Sequence, residues 1–249
     1  YRGSDGVERY VKVYHESRKA ADEVTAAAAY NAFGVAAPKM SVVTKGKSHL
    51  VASERLGPEW KELKVYDGPI TPEMAKDYVR GVPADVVMGN WDVAGNPGNV
   101  MTDGKRLMRV DLGDAGGKSA GMSPLGIWED SLAAFDGGAA RSPASKVAMP
   151  AFLAKAGGAE KLADIKADLN QGLSQVDKAI ESAGGIDGFV AKQFPHLKGG
   201  DASQMRQDMT GRLRFLRDNI DKIAMVTAAA GTFALSDKDS GAALASAGG

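Results

Sequence analysis

Residues Tyr10-Val11-Lys12-Val13-Tyr14 alternate with a period of two behind the turn formers Gly3-Ser4-Asp5-Gly6, which predicts a strand with Lys12 at its centre. From Ser17 to Phe33 the composition changes to Ala, Glu, Lys and Arg, which favour helix; Gly34 is a stop and Pro38 enforces it. Two strands are expected over residues 40–44 and 49–55, joined by the turn Lys45-Gly46-Lys47. Residues 58–72 read as a linker holding at most a helical turn. Thr71-Pro72-Glu73 then supplies a Thr N-cap, a Pro at the first helical position and an acid in the first turn. The helix it opens is expected to reach Val79, with a second short one over 84–88. Residues 89–99 are too rich in Gly, Asn and Pro for regular structure and predict an ordered loop. Val100-Met101 and residues 107–110 form a hairpin around Asp103-Gly104, and Asp111-Leu112-Gly113-Asp114 closes it.

Beyond Gly116 the pattern turns helical and Ala-rich, with helices expected over 128–135, 145–155, 160–182, 186–194 and 202–230. Leu162, Ile165, Leu169, Leu173, Val176 and Ile180 recur at spacings of three and four, the apolar stripe of an amphipathic helix. Met205, Met209, Leu213, Leu216 and Ile220 form a second stripe, read first as core and alternatively as a partner groove. Residues 236–249 are rich in Gly, Ala and Ser and are expected to be disordered. The predicted class is α+β: sheet-rich first, mostly helical afterwards.

Composition narrows the chemistry. The 249 residues carry no cysteine, which removes disulfides, thiolate zinc sites and thiol catalysis. Lys+Arg and Asp+Glu balance at 31 each, so net charge points to no nucleic-acid partner. No apolar run approaches the roughly 18–20 residues of a membrane span. His15, His49 and His196 share no metal-ligand spacing. Because the sequence starts at Tyr1, it reads as part of a larger polypeptide. Absence of cysteine fits either the cytoplasm or secretion into a host cell.

Phosphoryl transfer from ATP needs a lysine on the phosphate oxygens, an acid to hold that lysine, oxygen ligands for Mg²⁺, and a carboxylate facing the attacking hydroxyl. The chain offers such groups in order. Lys12 lies mid-strand, and Glu23 follows eleven positions later on the helix. Taken alone, this pair reads rather as two solvated surface charges, the default for charged residues. The loop ending in Asn99, followed by Asp111, carries more. Asp92 suits the acceptor hydroxyl, while Asn99 and Asp111 suit the metal; the alternative is that these residues only build turns. Asp85 and Asp114 suit metal or loop geometry, with turn and cap roles preferred.

Val11-Lys12-Val13-Tyr14, Glu23-Val24, Tyr30-Asn31-Ala32-Phe33-Gly34-Val35, Pro38 and Val51-Ala52-Ser53 resemble the N-lobe of HipA-like and phosphatidylinositol-kinase-like atypical kinases. Asp85-Val86-Val87-Met88-Gly89-Asn90-Trp91-Asp92 and Arg109-Val110-Asp111-Leu112-Gly113 resemble their catalytic and metal-binding segments. The nearest likeness is to a kinase-like module of bacterial and phage-derived proteins, and it covers residues 1–115. It implies a two-lobed protein-kinase-like fold, with an N-lobe over 1–56, a helical C-lobe over 57–235 and a tail over 236–249. It also implies ATP and Mg²⁺ as cofactors and a protein Ser/Thr acceptor. A lipid or small-molecule acceptor and a catalytically dead binding module are the alternatives. In this reading Lys12 binds phosphate, Glu23 is its helix partner, Asp92 is catalytic and Asp111 binds metal. Ser53, Glu54, Arg55 and Leu56 form the hinge that meets adenine. The sequence departs from the pattern at the metal-binding asparagine. Asn96 and Asn99 stand four and seven positions after Asp92, not five, and Asn99 is preferred because it directly precedes the hairpin strand. Before Lys12 the one glycine-rich stretch is the short Gly3-Ser4-Asp5-Gly6; the resembling module carries its phosphate loop just upstream of the position of Tyr1, so that loop is expected either before this sequence or to be missing.

Overall fold

The N-terminal alternation forms strand β1, Arg9–Tyr14, in a computed structural model that describes residues 6, 8–46, 48–90, 93, 97–113, 115 and 162–246. β1 pairs antiparallel with β3, Ser48–Glu54, and β2, Met40–Lys45, pairs on the other side of β3. Lys12 faces Val51 across this ladder, so it shares one face of the sheet with Tyr10, Tyr14, Val51 and Ser53. Helix α1, Ser17–Ala32, crosses between β1 and β2 and buries Ala20, Ala26, Ala27 and Ala29, small side chains that let it lie close to the sheet. It stops as predicted. Gly34 adopts φ 77°, the Val35 N–H donates to the Tyr30 carbonyl at 3.0 Å, and the Gly34 N–H donates to Asn31 at 3.1 Å.

Residues 58–72 hold more than a linker. Strand β4, Lys61–Glu62, and a single 3-10 turn, Leu63–Val65, lie within them. β4 pairs with β5, Val100–Thr102, which pairs with β6, Leu107–Arg109, giving a second antiparallel sheet in the order β4-β5-β6. A strand of two residues is too short for alternation to register in a sequence.

Helix α2, Pro72–Met88, is one helix and not two. Thr71 Oγ1 accepts from the Met74 N–H at 3.2 Å, Pro72 takes the first position, and Gly89 ends the helix at φ 63°. Pro83 lies inside it without breaking it. A proline costs a helix one internal hydrogen bond, and here packing offsets the loss. Helix α3, Leu162–Ser182, lies directly across this turn. A Cβ at Gly172 of α3 would fall 2.1 Å from the Arg80 carbonyl oxygen and 3.1 Å from Pro83 Cγ, so the two backbones meet with no room for a side chain. Arg80 Nε donates to Asp168 at 2.8 Å beside this contact.

Helix α4, Gly185–Gln193, joins α1 through the stacked rings of Phe33 and Phe189, 4.7 Å between centroids. Helix α5, Gly199–Ser246, buries Met205, Met209, Leu213 and Leu216 in the main core, which settles its stripe as packing. Along α3, Leu169, Val176 and Ile180 are buried and Leu162 is exposed. α5 runs through residues 236–246, where composition predicts disorder; alanine there carries high helix propensity. The expected helices over 128–135 and 145–155 lie outside the described residues, as do residues 1–5. The architecture is therefore α+β, with small antiparallel sheets and a mostly helical C-terminal part. Among the described residues, no helix is long and apolar enough to cross a membrane.

Because the 2.1 Å approach is to backbone, relief requires α2 and α3 to separate. Gly172→Ala is expected to destabilise the protein by about 1–3 kcal/mol, read as a lower denaturation midpoint at unchanged m-value. An unchanged midpoint would show that the helices are not in this contact.

Candidate active site

The face of β1 that carries Lys12 looks toward α1. Lys12 Nζ donates to Glu23 Oε1 at 2.8 Å and to Asp111 Oδ1 at 2.5 Å. Three residues from a strand, a helix and the segment after a hairpin thus meet at one amine. Their burial is graded: Glu23 is 1% exposed, Lys12 25% and Asp111 58%. Burial works against the ammonium. The hydrogen bonds and charges of Asp111 and Glu23 outweigh it and hold Lys12 above the ordinary amine range.

Tyr14 completes the inner shell. Its hydroxyl donates to Glu23 Oε2 at 2.5 Å, and burial together with that carboxylate pushes the phenol up. The sequence reading passes over Tyr14, although a signal was present. With a period of two it must share the face of Lys12.

Asp111 is held in an unusual backbone conformation, φ 55°, and is the one non-glycine residue at positive φ among the described residues. Aspartate tolerates this region better than most residues. Next to it, the Val110 N–H donates to the Asn99 carbonyl at 2.9 Å, so the two ends of the β5–β6 hairpin stand side by side. Asn99 closes the 3-10 turn Pro97–Asn99 and is buried.

These groups border a cleft of about 470 Å³. Lys12, Glu23 and Asp111 line it, with Asn99 and Gly98 from the 3-10 turn and Ser53, Glu54, Arg55 and Leu56 from the end of β3 and beyond. Met40, Val51 and Met101 supply apolar surface. Arg55 is turned away in part: its N–H donates to the Glu8 carbonyl at 3.0 Å and its guanidinium to the Glu8 carboxylate at 2.9 Å. The structure therefore brings Lys12, Glu23, Ser53, Glu54, Arg55, Asn99 and Asp111 to one cleft. Asp92, Asn96 and Asp114 lie outside the described residues. Among those described, no group of three or more His, Asp or Glu side chains gathers as a metal cage. The donors present suit Mg²⁺, which characteristically takes one or two carboxylates and fills its remaining positions with water and substrate phosphate.

Behind the cleft lies a second ionic group that the sequence does not announce. Asp85 is neither on a turn nor exposed as a cap; its side chain is fully buried in α2, paired with Arg109 of β6 at 3.0 Å. The Tyr30 hydroxyl donates to its other oxygen at 2.8 Å, and Asn90 Nδ2 donates to Tyr30 at 3.0 Å. Arg109 also donates to the Tyr78 carbonyl at 3.0 Å and lies over the Tyr78 ring. Burial raises the Asp85 carboxyl, opposed by the guanidinium and by Tyr30. Burial likewise works against Arg109, but the Asp85 charge prevails and holds it protonated. Gly81 makes room for the guanidinium, since a Cβ there would lie 2.3 Å from Arg109 Nη2. At the end of α2, the buried Arg212 donates to the Val87 carbonyl at 3.3 Å, placing a cation at the negative end of the helix.

No protein-family model, curated protein or solved structure matches the chain. The cleft must be read from its own residues.

Removing one partner of a buried pair strands the other, at about 3–5 kcal/mol. Asp85→Ala is expected to lose that amount in denaturant unfolding. Arg109→Met in the same background should restore part of it. Simple additivity of the two losses would contradict the pairing.

Proposed function

We propose that the chain is an ATP-dependent phosphotransferase of two-lobed kinase-like architecture, acting on an alcohol group, with protein Ser/Thr as the first-choice acceptor. One observation carries the reading: the amine of Lys12 is held between Glu23 and Asp111, 99 positions away from it, at a cleft large enough for a nucleotide. Phosphate chemistry explains that arrangement better than structure does. A partly exposed salt bridge contributes little to stability, whereas an oriented ammonium beside an exposed carboxylate is what a triphosphate and its cation require.

In this reading Glu23 and Tyr14 fix Lys12 from the buried side, and the amine neutralises non-bridging phosphate oxygens. Residues 53–56 face the base. Asn99 and Asp111 would hold magnesium, which when bound neutralises phosphate charge. Asp92 orients the acceptor hydroxyl and takes up its proton. Acceleration comes from positioning and fixed charge, not from covalent chemistry.

Two measurements test this. At a hundredfold excess over Kd a ligand stabilises by about 2.7 kcal/mol, roughly 5–10 °C of melting temperature for a chain of this size. ATP with Mg²⁺ is expected to raise the melting temperature by that order, and Asp111→Asn to remove most of the rise. No rise in either protein leaves a binding module without nucleotide. A rise without labelling of proteins in a lysate supplied with γ-labelled ATP points to a lipid or small-molecule acceptor. Separately, Asp92→Ala is expected to abolish turnover while nucleotide still binds. Retained turnover would remove Asp92 from the site.

A further inference from the structure

Glu23 can hold Lys12 only while α1 keeps its rotation and height above the sheet. Two polar contacts from the N-terminal half of α1 reach the C-terminal helices. Asp22 Oδ1 meets His196 Nε2 at 2.7 Å, and Arg18 Nη1 donates to Asp201 Oδ2 at 2.9 Å. Their exposure separates them. Arg18 and Asp201 are 54% and 45% exposed, a solvated pair of little weight. Asp22 and His196 are 19% and 20% exposed, and water competes less for them. His196 sits on the turn between α4 and α5, where its ring lies 6.4 Å from that of the buried Phe194. Its Nδ1 is buried and has no hydrogen-bond partner among the described residues, so Nε2 is the atom through which the ring is tied.

Asp22 and Glu23 are successive helical residues and therefore point about 100° apart around the axis. One faces the α4–α5 corner while the other faces Lys12. A rotation of α1 that frees Asp22 from His196 also swings Glu23 off the amine. We propose that Asp22 and His196 are a positioning pair: the C-terminal helices hold α1 through them and so keep Glu23 on Lys12. Neither residue touches the cleft. The consequence for nucleotide rests on the phosphotransferase reading, but the state of the Lys12 amine does not.

The test uses the full chain without ligand and follows modification of the Lys12 amine by an amine-reactive ester, read by peptide mass spectrometry. Lys105, exposed on the turn between β5 and β6 and away from α1, α4 and α5, serves as the internal reference. Loss of a half-buried pair worth roughly one factor of ten or less predicts about three- to tenfold faster modification of Lys12 in His196→Ala, with Lys105 unchanged. His196→Gln, which retains a nitrogen donor near the Nε2 position, is expected to remain within about twofold of wild type. Mg-ATP binding should weaken in His196→Ala by the same factor, and no further when Glu23→Gln is already present. Unchanged Lys12 modification in a His196→Ala protein that melts normally would overturn the proposal, as would equal loss in His196→Gln. If His196→Ala does not fold, Asp22→Ala, which removes the acceptor at Oδ1, carries the same comparison with the same expected and overturning results. A wild type that binds no nucleotide would defeat the phosphotransferase reading, while the modification rates would still decide the positioning pair.

Discussion

A carboxylate and a guanidinium, both taken out of water, meet between α2 and β6 in the Asp85–Arg109 pair. Charges in such a place tolerate only one arrangement, because separation leaves each without solvent or partner. The pair therefore fixes more than two residues. Tyr30 brings α1 to the same carboxylate, and Asn90, the first residue after α2's left-handed cap, joins through the Tyr30 hydroxyl. The Arg109 N–H donates to the Ala36 carbonyl at 2.8 Å, tying β6 to the segment that leaves α1. The helix that carries Glu23 and the strand that leads to Asp111 are thus referred to one buried point. Asp111 lies two residues beyond Arg109, and Glu23 lies two helical turns before Tyr30.

The cleft itself is built on the opposite principle, a gradient and not a closed network. Lys12 has a partner sealed from solvent on one side and a partner open to it on the other. Exchanging Glu23 would require desolvating something in its place, whereas Asp111 can trade the ammonium for water or another cation at small cost. The amine is consequently anchored by one carboxylate and merely accompanied by the other. That asymmetry leaves the amine oriented from its buried side and open on its outer one.

How far the site was legible in the sequence follows from the same contrast. Lys12 was legible as a mid-strand lysine because period-two alternation marks its strand, while the partnership with Glu23 rested on the resemblance to atypical kinases, since taken alone both residues read as surface charges. Asp111 was legible as the residue closing a hairpin with a strong turn signal. The Asp85–Arg109 pair was not. A charged residue inside an apolar helix reads by default as a cap or a surface group, and no local pattern distinguishes a buried ion pair formed across 24 positions. Helix α2 reads from sequence as two pieces, one ending at Val79 and one opening at residue 84, with Pro83 between them, for a related reason. Local propensity registers the missing N–H, while the continuity of the helix comes from α3 lying across it at Gly172. β4 escaped notice because two residues carry no period. The fold class and the longer sheet strands were readable from local pattern; every feature that depends on two distant segments meeting was not.

The left-handed backbone of Asp111 separates two demands that usually travel together. Most side chains forfeit about 1–2 kcal/mol in that conformation, and asparagine and glycine largely escape the penalty. The bend that aims residue 111 into the groove and the negative charge it delivers there are thus independent properties of one position. Asparagine would preserve the aim and discard the charge, glycine would preserve the bend and discard the side chain altogether, and alanine would forfeit both charge and geometry.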